Sequence, residues 1–144
     1  MEKNKFISQK DLKVIKSLPK PIVLVPMSID ILHHGHIRIL KKSIKLGTIV
    51  VGLMTDKGIS SYKKKPILKY KFRKEVLDQI KLVTYIFPLR GLIYPEICEI
   101  INPDYFVHGT DWQSGVQKKI RNRLVKNKKK YQTKIIEYNY TKNI

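Results

Sequence analysis

The sequence predicts an α/β fold with a five-stranded parallel sheet and helices on both faces of that sheet. Short apolar runs alternate with stretches in which apolar residues recur at helical spacing. The run 48–54 is apolar and rich in β-branched residues, as expected of a strand that is buried on both faces. Gly47, Pro88 and Pro103 stand at the ends of such segments and separate one element from the next. This alternation predicts a Rossmann-like sheet.

Nine elements are predicted along the main part of the chain. In order they are strand 22–25, helix 36–46, strand 48–54, helix 70–81, strand 84–87, helix 94–101, strand 105–108, helix 116–126 and strand 133–138. The second of these helices is expected to turn four apolar residues inward, namely Phe72, Val76, Leu77 and Ile80. Residues 126–130 are almost entirely lysine and are expected to form a solvated loop.

An N-terminal basic helical extension is predicted over residues 1–20, before a domain that spans 21–144. The sequence Ser-Gln-Lys-Asp at 8–11 resembles a capping box. Leu12, Ile15 and Leu18 follow it at helical spacing, so this helix is expected to lie on the domain.

The composition favours binding partners that carry negative charge. The chain of 144 residues has 30 Lys and Arg against 11 Asp and Glu, which gives a formal net charge of +19. Such a field favours nucleic acid, an acidic membrane surface or phosphorylated small molecules. The basic residues are spread over the whole chain and no interleaved aromatic platform accompanies them. Nucleic-acid binding is therefore the weaker hypothesis, although the charge does not exclude it.

Cysteine content and hydropathy argue against two further classes of protein, those held by disulfides or cysteine-bound metals and those that span a membrane. A single cysteine, Cys98, allows neither an internal disulfide nor a multi-cysteine metal site. No stretch approaches the roughly 18 apolar residues of a membrane span, and the N-terminus has no signal-like apolar core. We expect a cytoplasmic protein.

Three of the four histidines stand within four residues, at His33, His34 and His36, with Gly35 in the same turn. The turn follows the strand 22–25 and begins a helix. The first backbone N–H groups of a helix lack partners within it and can bind an anion. Imidazoles there add mobile positive charge, and glycine allows a ligand close to the backbone. The pattern predicts a phosphate site.

Other polar segments also follow strands directly and are expected at the same edge of the sheet. They are Thr55-Asp56 and residues 109–112. Ligands of such folds bind at the carboxyl ends of the strands, where the winding direction reverses.

Six motifs in chain order carry a resemblance to a known family. They are residues 27–36, 52–57, 61–66, 70–73, 107–112 and 115–121, and the first reads Met-Ser-Ile-Asp-Ile-Leu-His-His-Gly-His. Together they resemble the cytidylyltransferase family of the HxGH nucleotidyltransferase superfamily. The Met-Ser-x-Asp start and the His-Gly-x-Asp-Trp run look most like phosphonate cytidylyltransferases, including the domain linked to phosphoenolpyruvate mutases. Enzymes for glycerol 3-phosphate or phosphocholine are the alternative.

The resemblance implies a reaction and a set of site residues. A phosphate or phosphonate oxygen, with 2-aminoethylphosphonate as the expected acceptor, attacks the α-phosphate of CTP and releases pyrophosphate. The implied catalytic residues are His33, His36 and Lys63. The implied nucleotide contacts are Met27, Ser28, Asp30, His36, Arg73, Gly109, Asp111 and Thr141, the implied acceptor contacts are Lys64 and Trp112, and the implied Mg²⁺ ligands are Asp30 and Asp111. The resemblance also implies a homodimer.

Each of these residues has a simpler interpretation. Lys63 could belong to an exposed basic loop, Arg73 to the surface of a helix, and Trp112 to the packing beneath a loop. Asp30 could brace its turn by accepting backbone N–H bonds. The family's closing motif starts at Tyr140-Thr141, and the sequence ends before its hydroxyl residues. A domain that binds nucleotide without turning it over is therefore a further alternative.

Overall fold

A computed structural model describes residues 4–127 and 130–139 and confirms the α/β fold. Five parallel strands form one sheet in the order β3-β2-β1-β4-β5. The strands are β1 (Ile22–Met27), β2 (Thr48–Met54), β3 (Tyr85–Leu89), β4 (Tyr105–Gly109) and β5 (Lys134–Tyr138). The winding direction reverses between β1 and β4, which places the expected ligand crevice at their carboxyl ends.

Helices connect the strands and cover both faces of the sheet. They are α1 (His34–Ser43), α2 (Asp56–Ser60), α3 (Tyr70–Asp78), α4 (Tyr94–Ile101) and α5 (Lys118–Asn127), with 3-10 helices at Gln9–Ser17, Thr110–Gln113 and Gly115–Gln117. The sequence pattern did not predict α2, which is only five residues long. Thr55 starts it by accepting a hydrogen bond on its side chain from the Gly58 N–H at 3.0 Å.

Two apolar clusters, one on each face of the sheet, form the core. On one face Leu40 of α1 and Leu77 of α3 pack against the strands. On the other face Ile97 of α4 and Leu124 of α5 do so, together with Leu12 of the N-terminal 3-10 helix. The buried strand predicted at 48–54 is confirmed, since every residue of β2 after Thr48 is buried.

β3 differs from its predicted end at residue 87, because it continues through Pro88 to Leu89. It is the outermost strand next to β2, and an edge position tolerates a residue that has no N–H group. The N-terminal segment covers part of this edge. Ile7 donates its N–H to the Ile86 carbonyl at 2.9 Å, and the Ile86 N–H donates to Lys5 at 2.8 Å.

The N-terminal helix lies on the domain as predicted, although it is a 3-10 helix. Leu12 and Ile15 are buried in the core cluster next to α4. The predicted capping box does not form. Instead, the Ser8 hydroxyl donates to the carboxylate of Asp11 at 2.9 Å.

The predicted inner face of α3 was wrong at two positions. Phe72 and Val76 are 44% and 40% exposed, whereas Arg73 and Leu77 are fully buried. The helix therefore turns Arg73 toward the protein, because backbone carbonyls and a carboxylate satisfy its guanidinium there. Apolar periodicity alone could not anticipate an inward-facing arginine.

Within the described residues, none of the helices combines the length and the apolar character that a bilayer crossing requires.

Candidate active site

A pocket of about 220 Å³ opens at the carboxyl ends of β1 and β4. Seven of the predicted site residues line it: Met27, Ser28, His33, His36, Lys63, Gly109 and Asp111. The structure therefore brings together the histidine turn and the segment after β4, as their positions after strands led us to expect, and adds Lys63 of the lysine loop. Thr55 and Asp56, which were expected at the same edge, do not line the pocket.

His33 and His36 form a reciprocal cap at the start of α1. The Gly35 N–H donates to Nδ1 of His33 at 3.0 Å, and the His33 N–H donates to Nδ1 of His36 at 3.2 Å. An Nδ1 that accepts a hydrogen bond carries no proton, so the proton of each ring lies on Nε2. Two Nε2–H groups are thus the donors that these rings can offer a ligand.

This cap corrects the expectation that unpaired helix N–H groups bind the anion. The Gly35 N–H bonds to the His33 ring, and the His36 N–H donates to the His33 carbonyl at 3.1 Å. Phosphate recognition at this turn would therefore rely on the imidazole side chains.

The pKa of His36 falls from 6.5 to about 4. Burial is the largest cause, and the neighbouring His33 and Lys63 add to it. The ring centroids of His33 and His36 are only 4.0 Å apart. His36 is consequently neutral near pH 7 in the free protein, which corrects the expectation of mobile positive charge at this ring.

Lys63 provides a cation at the pocket. It is exposed and lies between α2 and α3, with its Nζ 5.4 Å from the centroid of the Tyr62 ring. Its backbone N–H donates to the Ile59 carbonyl at 3.0 Å, which fixes the start of the loop. Lys64, the predicted acceptor contact, is exposed and is not among the residues that line the pocket.

Asp30 fixes the other end of this loop and does not line the pocket. Its two carboxylate oxygens accept from the N–H groups of Ile67 at 2.9 Å and Leu68 at 2.8 Å. Burial acts to raise the pKa of Asp30, but these two bonds and the charges of Arg73 and Lys63 outweigh it, so the pKa lies below its usual value. The structure supports the bracing alternative over a nucleotide or metal contact.

Arg73 is not at the pocket surface either, which corrects the predicted phosphate contact. Its guanidinium is fully buried and donates to the carbonyls of Leu68 (2.9 Å), Ser28 (2.9 Å) and Met54 (2.6 Å). It also donates to the carboxylate of Asp56 at 2.7 Å. Arg73 therefore joins the segments after β1 and β2 to the lysine loop and positions the site without touching its interior.

Trp112 packs beneath the loop after β4 and does not line the pocket, contrary to the prediction that it contacts the acceptor. It is fully buried and lies parallel to the His108 ring, with the ring centroids 4.1 Å apart. Its indole N–H donates to Glu137 at 2.6 Å. Arg121 donates to both oxygens of Glu137 at 3.0 Å and 2.9 Å.

The pKa of Glu137 falls to about 2 because of this network. The hydrogen bond from Arg121 is the largest cause, and the bonds from Gln113 and Trp112 lower the pKa further against the opposing effect of burial. Glu137 of β5 is therefore ionised and anchors the segment that follows β4.

Sequence reasoning missed four polar residues of the pocket: Tyr62, Tyr94, His108 and Gln117. His108 stands in the motif after the fourth predicted strand, so its position at a strand end was a usable signal. Tyr94 starts α4 and donates to the Gln117 side chain at 3.4 Å. Tyr94 and Gln117 reach the pocket from segments that do not directly follow a strand, and no spacing in the sequence indicates that they line it. Thr141, a predicted nucleotide contact, lies outside the described residues.

No group of three or more His, Cys, Asp or Glu side chains among the described residues could hold a metal ion. Of the two predicted Mg²⁺ ligands, Asp30 is occupied by backbone N–H groups, while Asp111 lines the pocket. Magnesium often takes one or two carboxylates and completes its shell with substrate phosphates and water. The site fits an ion that arrives with a triphosphate, and the ligand assignment stays a prediction.

The sheet order and the position of the pocket define a Rossmann-like α/β domain, and the solved structures that it resembles have nucleotidyltransferase-type folds. A lipopolysaccharide core biosynthesis protein from Thermoplasma volcanium superimposes with a TM-score of 0.69 at 26% identity, over 83% of this chain and 97% of that one. A pantoate-beta-alanine ligase from Francisella tularensis gives the same TM-score of 0.69 at 19% identity, over 96% of this chain and 67% of that one, and shows the fold alone.

The chain belongs to the cytidylyltransferase-like family, whose pattern it matches over residues 25–144. A glycerol-3-phosphate cytidylyltransferase of Staphylococcus aureus is 35% identical over 86 residues, which are 58% of this chain and 65% of that protein. The bifunctional protein HldE of Wolinella succinogenes is 32% identical over 108 residues, 73% of this chain and 23% of that protein. The matched region thus spans less than two thirds of either relative. The resemblance is confirmed at the level of the family, while closeness to phosphonate enzymes stays a prediction.

Replacing Arg73 with Met should lower the free energy of unfolding of the ligand-free protein by about 3–5 kcal/mol, since buried carbonyls and Asp56 lose their partner. Urea unfolding measures the loss, and Arg38→Met, at an exposed arginine of α1, serves as the control with little change. An Arg73 variant that unfolds like the wild type and loses only nucleotide affinity would show a phosphate contact instead.

Acidification should destabilise the protein partly through His36. Between about pH 6.5 and pH 4 the unfolded chain takes up a proton at this residue that the folded protein does not, so the free energy of unfolding falls as the pH decreases. His36→Asn keeps a side-chain acceptor for the cap and should lose this part of the pH dependence. Urea unfolding at pH 7 and pH 5 compares the two proteins, and NMR of the ring nitrogens should find His36 neutral with its proton on Nε2. A titration midpoint near 6.5 would contradict the assignment.

Proposed function

We propose that this protein transfers the cytidylyl group of CTP to a small acceptor phosphate or phosphonate. The observation that carries the proposal is the placement of the His33 and His36 rings and Lys63 around one pocket at the β1/β4 crevice. An acceptor oxygen forms a bond to the α-phosphorus of CTP, and the bond from that phosphorus to the oxygen bridging toward the β-phosphate breaks. Pyrophosphate leaves with the electron pair of the broken bond.

Catalysis in this site would consist of alignment and charge stabilisation. The Nε2–H groups of His33 and His36 would donate to triphosphate oxygens, and the fixed cap holds both rings in position before substrate binds. Lys63 would supply the charge that the neutral His36 lacks. Its flexible side chain can follow negative charge from the attacking oxygen to the leaving pyrophosphate.

Asp111 would hold a Mg²⁺ ion that accompanies the triphosphate, and the chemistry such an ion would supply is neutralisation of part of the triphosphate charge. Asp111 is the predicted ligand that lines the pocket and is 42% exposed on its side chain. Ser28, Met27 and Gly109 border the same space and are proposed to contact the nucleotide. Thr141 stays a proposal from the resemblance alone.

For the acceptor we propose glycerol 3-phosphate first and 2-aminoethylphosphonate second. Relatives named glycerol-3-phosphate cytidylyltransferases support the former. The Met-Ser-x-Asp run at 27–30 supports the latter. An ammonium group needs a carboxylate or an open aromatic face, and Trp112 has no exposed surface for it. Asp111 or the partly exposed Tyr62 ring, which both line the pocket, would have to serve instead.

We also propose a homodimer in which the outer face of α3 contacts a second copy. Phe72 and Val76 stand one turn apart and are 44% and 40% exposed. Cytoplasmic location likewise stays a prediction.

Replacing His36 with Ala should reduce pyrophosphate release from CTP by a factor that corresponds to about 2–4 kcal/mol of transition-state stabilisation, the usual effect of losing one such donor. Lys63→Gln should also lower turnover, while Lys65→Gln, two residues along the same exposed loop and outside the pocket, should retain it. The assay uses CTP, Mg²⁺ and a panel of glycerol 3-phosphate, 2-aminoethylphosphonate, phosphocholine and phosphoethanolamine.

This panel tests the catalytic residues and the choice of acceptor separately. Wild-type turnover by the double His33, His36 variant would remove the catalytic assignment. Preference for 2-aminoethylphosphonate would reverse the order of the acceptors and leave the reaction standing. Absence of turnover together with CTP binding would support the nucleotide-binding alternative.

The dimer is tested by sedimentation at micromolar concentration. Val76→Glu should shift the protein to monomer because it places a charge on the apolar contact, whereas Val14→Glu, on the exposed side of the N-terminal helix, should not. A monomeric wild-type protein would exclude this interface.

A further inference from the structure

His108 stands at the end of β4 and presents a different nitrogen from the two histidines of the turn. Its Nδ1 lies 2.9 Å from the Gly109 carbonyl oxygen and 3.8 Å from a carboxylate oxygen of Asp111. Both oxygens can only accept hydrogen bonds, so Nδ1 carries the ring proton. In the neutral ring Nε2 is then an unprotonated acceptor.

The ring is largely shielded from water. The side chain is only 11% exposed and one face is covered by Trp112.

The orientation of the ring is fixed from behind. Trp112 lies 4.1 Å from His108 between ring centroids at an interplanar angle of 6°. The indole N–H is held by Glu137, which Arg121 holds in turn through two hydrogen bonds. An acceptor held this rigidly discriminates well, because it cannot turn away from a ligand group that fails to pair with it.

We propose that Nε2 of His108 is a specificity-determining acceptor for an N–H or O–H donor of a substrate, and that Trp112 and Glu137 are its positioning residues. The proposal rests on the cytidylyltransferase function proposed above. The pocket then divides its imidazoles by tautomer. His33 and His36 donate to phosphate oxygens, while His108 accepts from an uncharged hydroxyl or amine of the nucleotide, or from the tail of the acceptor.

Two parts of the reaction offer such a donor. Cytosine carries an exocyclic amine where uracil carries a carbonyl oxygen. With UTP, that oxygen and Nε2 of His108 would both be acceptors and could not form a hydrogen bond. Glycerol 3-phosphate carries hydroxyl groups that propyl phosphate lacks, so propyl phosphate would leave a buried Nε2 unpaired. Gln117 borders the same space, where its side-chain oxygen accepts from the Tyr94 hydroxyl at 3.4 Å.

The test measures two ratios of kcat/KM, CTP over UTP and glycerol 3-phosphate over propyl phosphate. His108→Met removes the acceptor and keeps an apolar side chain against Trp112. It should lower one of the two ratios by about tenfold or more, and the ratio that falls identifies the donor. His108→Gln restores a side-chain oxygen acceptor and should recover part of that ratio.

The positioning residues have their own readout. Trp112→Phe keeps the stacked ring and loses the N–H that Glu137 holds, so it should lower the same ratio by a smaller factor. Lys134→Gln, at an exposed position of the strand that carries Glu137, is the control. A purely structural role would reduce kcat for both members of a pair alike and leave the ratios unchanged.

Both ratios within twofold of wild type in His108→Met would overturn the proposal, as would a wild-type protein that prefers neither CTP nor the hydroxylated acceptor. If no pair is turned over, the proposed function fails and the inference is judged separately. Calorimetric affinities then give the same two ratios without turnover, and equal values in wild type and His108→Met overturn it.

Discussion

The buried guanidinium of Arg73 is the interaction on which the architecture of the pocket depends. Three segments that are distant in the sequence end at this one group: the turn after β1 at Ser28, the end of β2 at Met54 and the lysine loop at Leu68. A charge without exposed surface is tolerated only if its donors are used, and here the carbonyls and Asp56 use them. The geometry of the site is therefore set by a residue that does not line it.

At the start of α1, hydrogen bonds likewise fix the groups that surround the pocket. Nδ1 of His33 and Nδ1 of His36 cap the helix, and this bonding decides which nitrogen of each ring faces a ligand. A second proton on the His36 ring would break its cap, so this ring is suited to donate a hydrogen bond and poorly suited to carry charge. Lys63 complements both rings as a mobile cation beside two fixed hydrogen-bond donors.

Local signals in the sequence predicted the sheet, its parallel strands and the meeting of three segments at one edge. They succeeded because strand burial and the polarity of strand ends follow from periodicity. They failed where a side chain is satisfied by distant backbone groups. Arg73 and Asp30 were both predicted to contact ligands. The fold shows instead that Arg73 donates to backbone carbonyls and that Asp30 accepts from backbone N–H groups. The predicted acceptor contact of Trp112 failed for the same reason, because its partner Glu137 lies on another strand.

The tethering of the lysine loop has a consequence for the entropy of substrate capture. The backbone N–H of Lys63 is bonded to Ile59, and four residues later Asp30 holds the N–H of Ile67. The loop between these two tethers therefore has little backbone freedom left to lose when a ligand binds. Recruiting Lys63 then costs mainly its side-chain rotamers, about 2 kcal/mol at most. To reach a bound polyanion, Lys63 therefore needs only to rotate the four bonds of its side chain, and the loop itself does not have to fold.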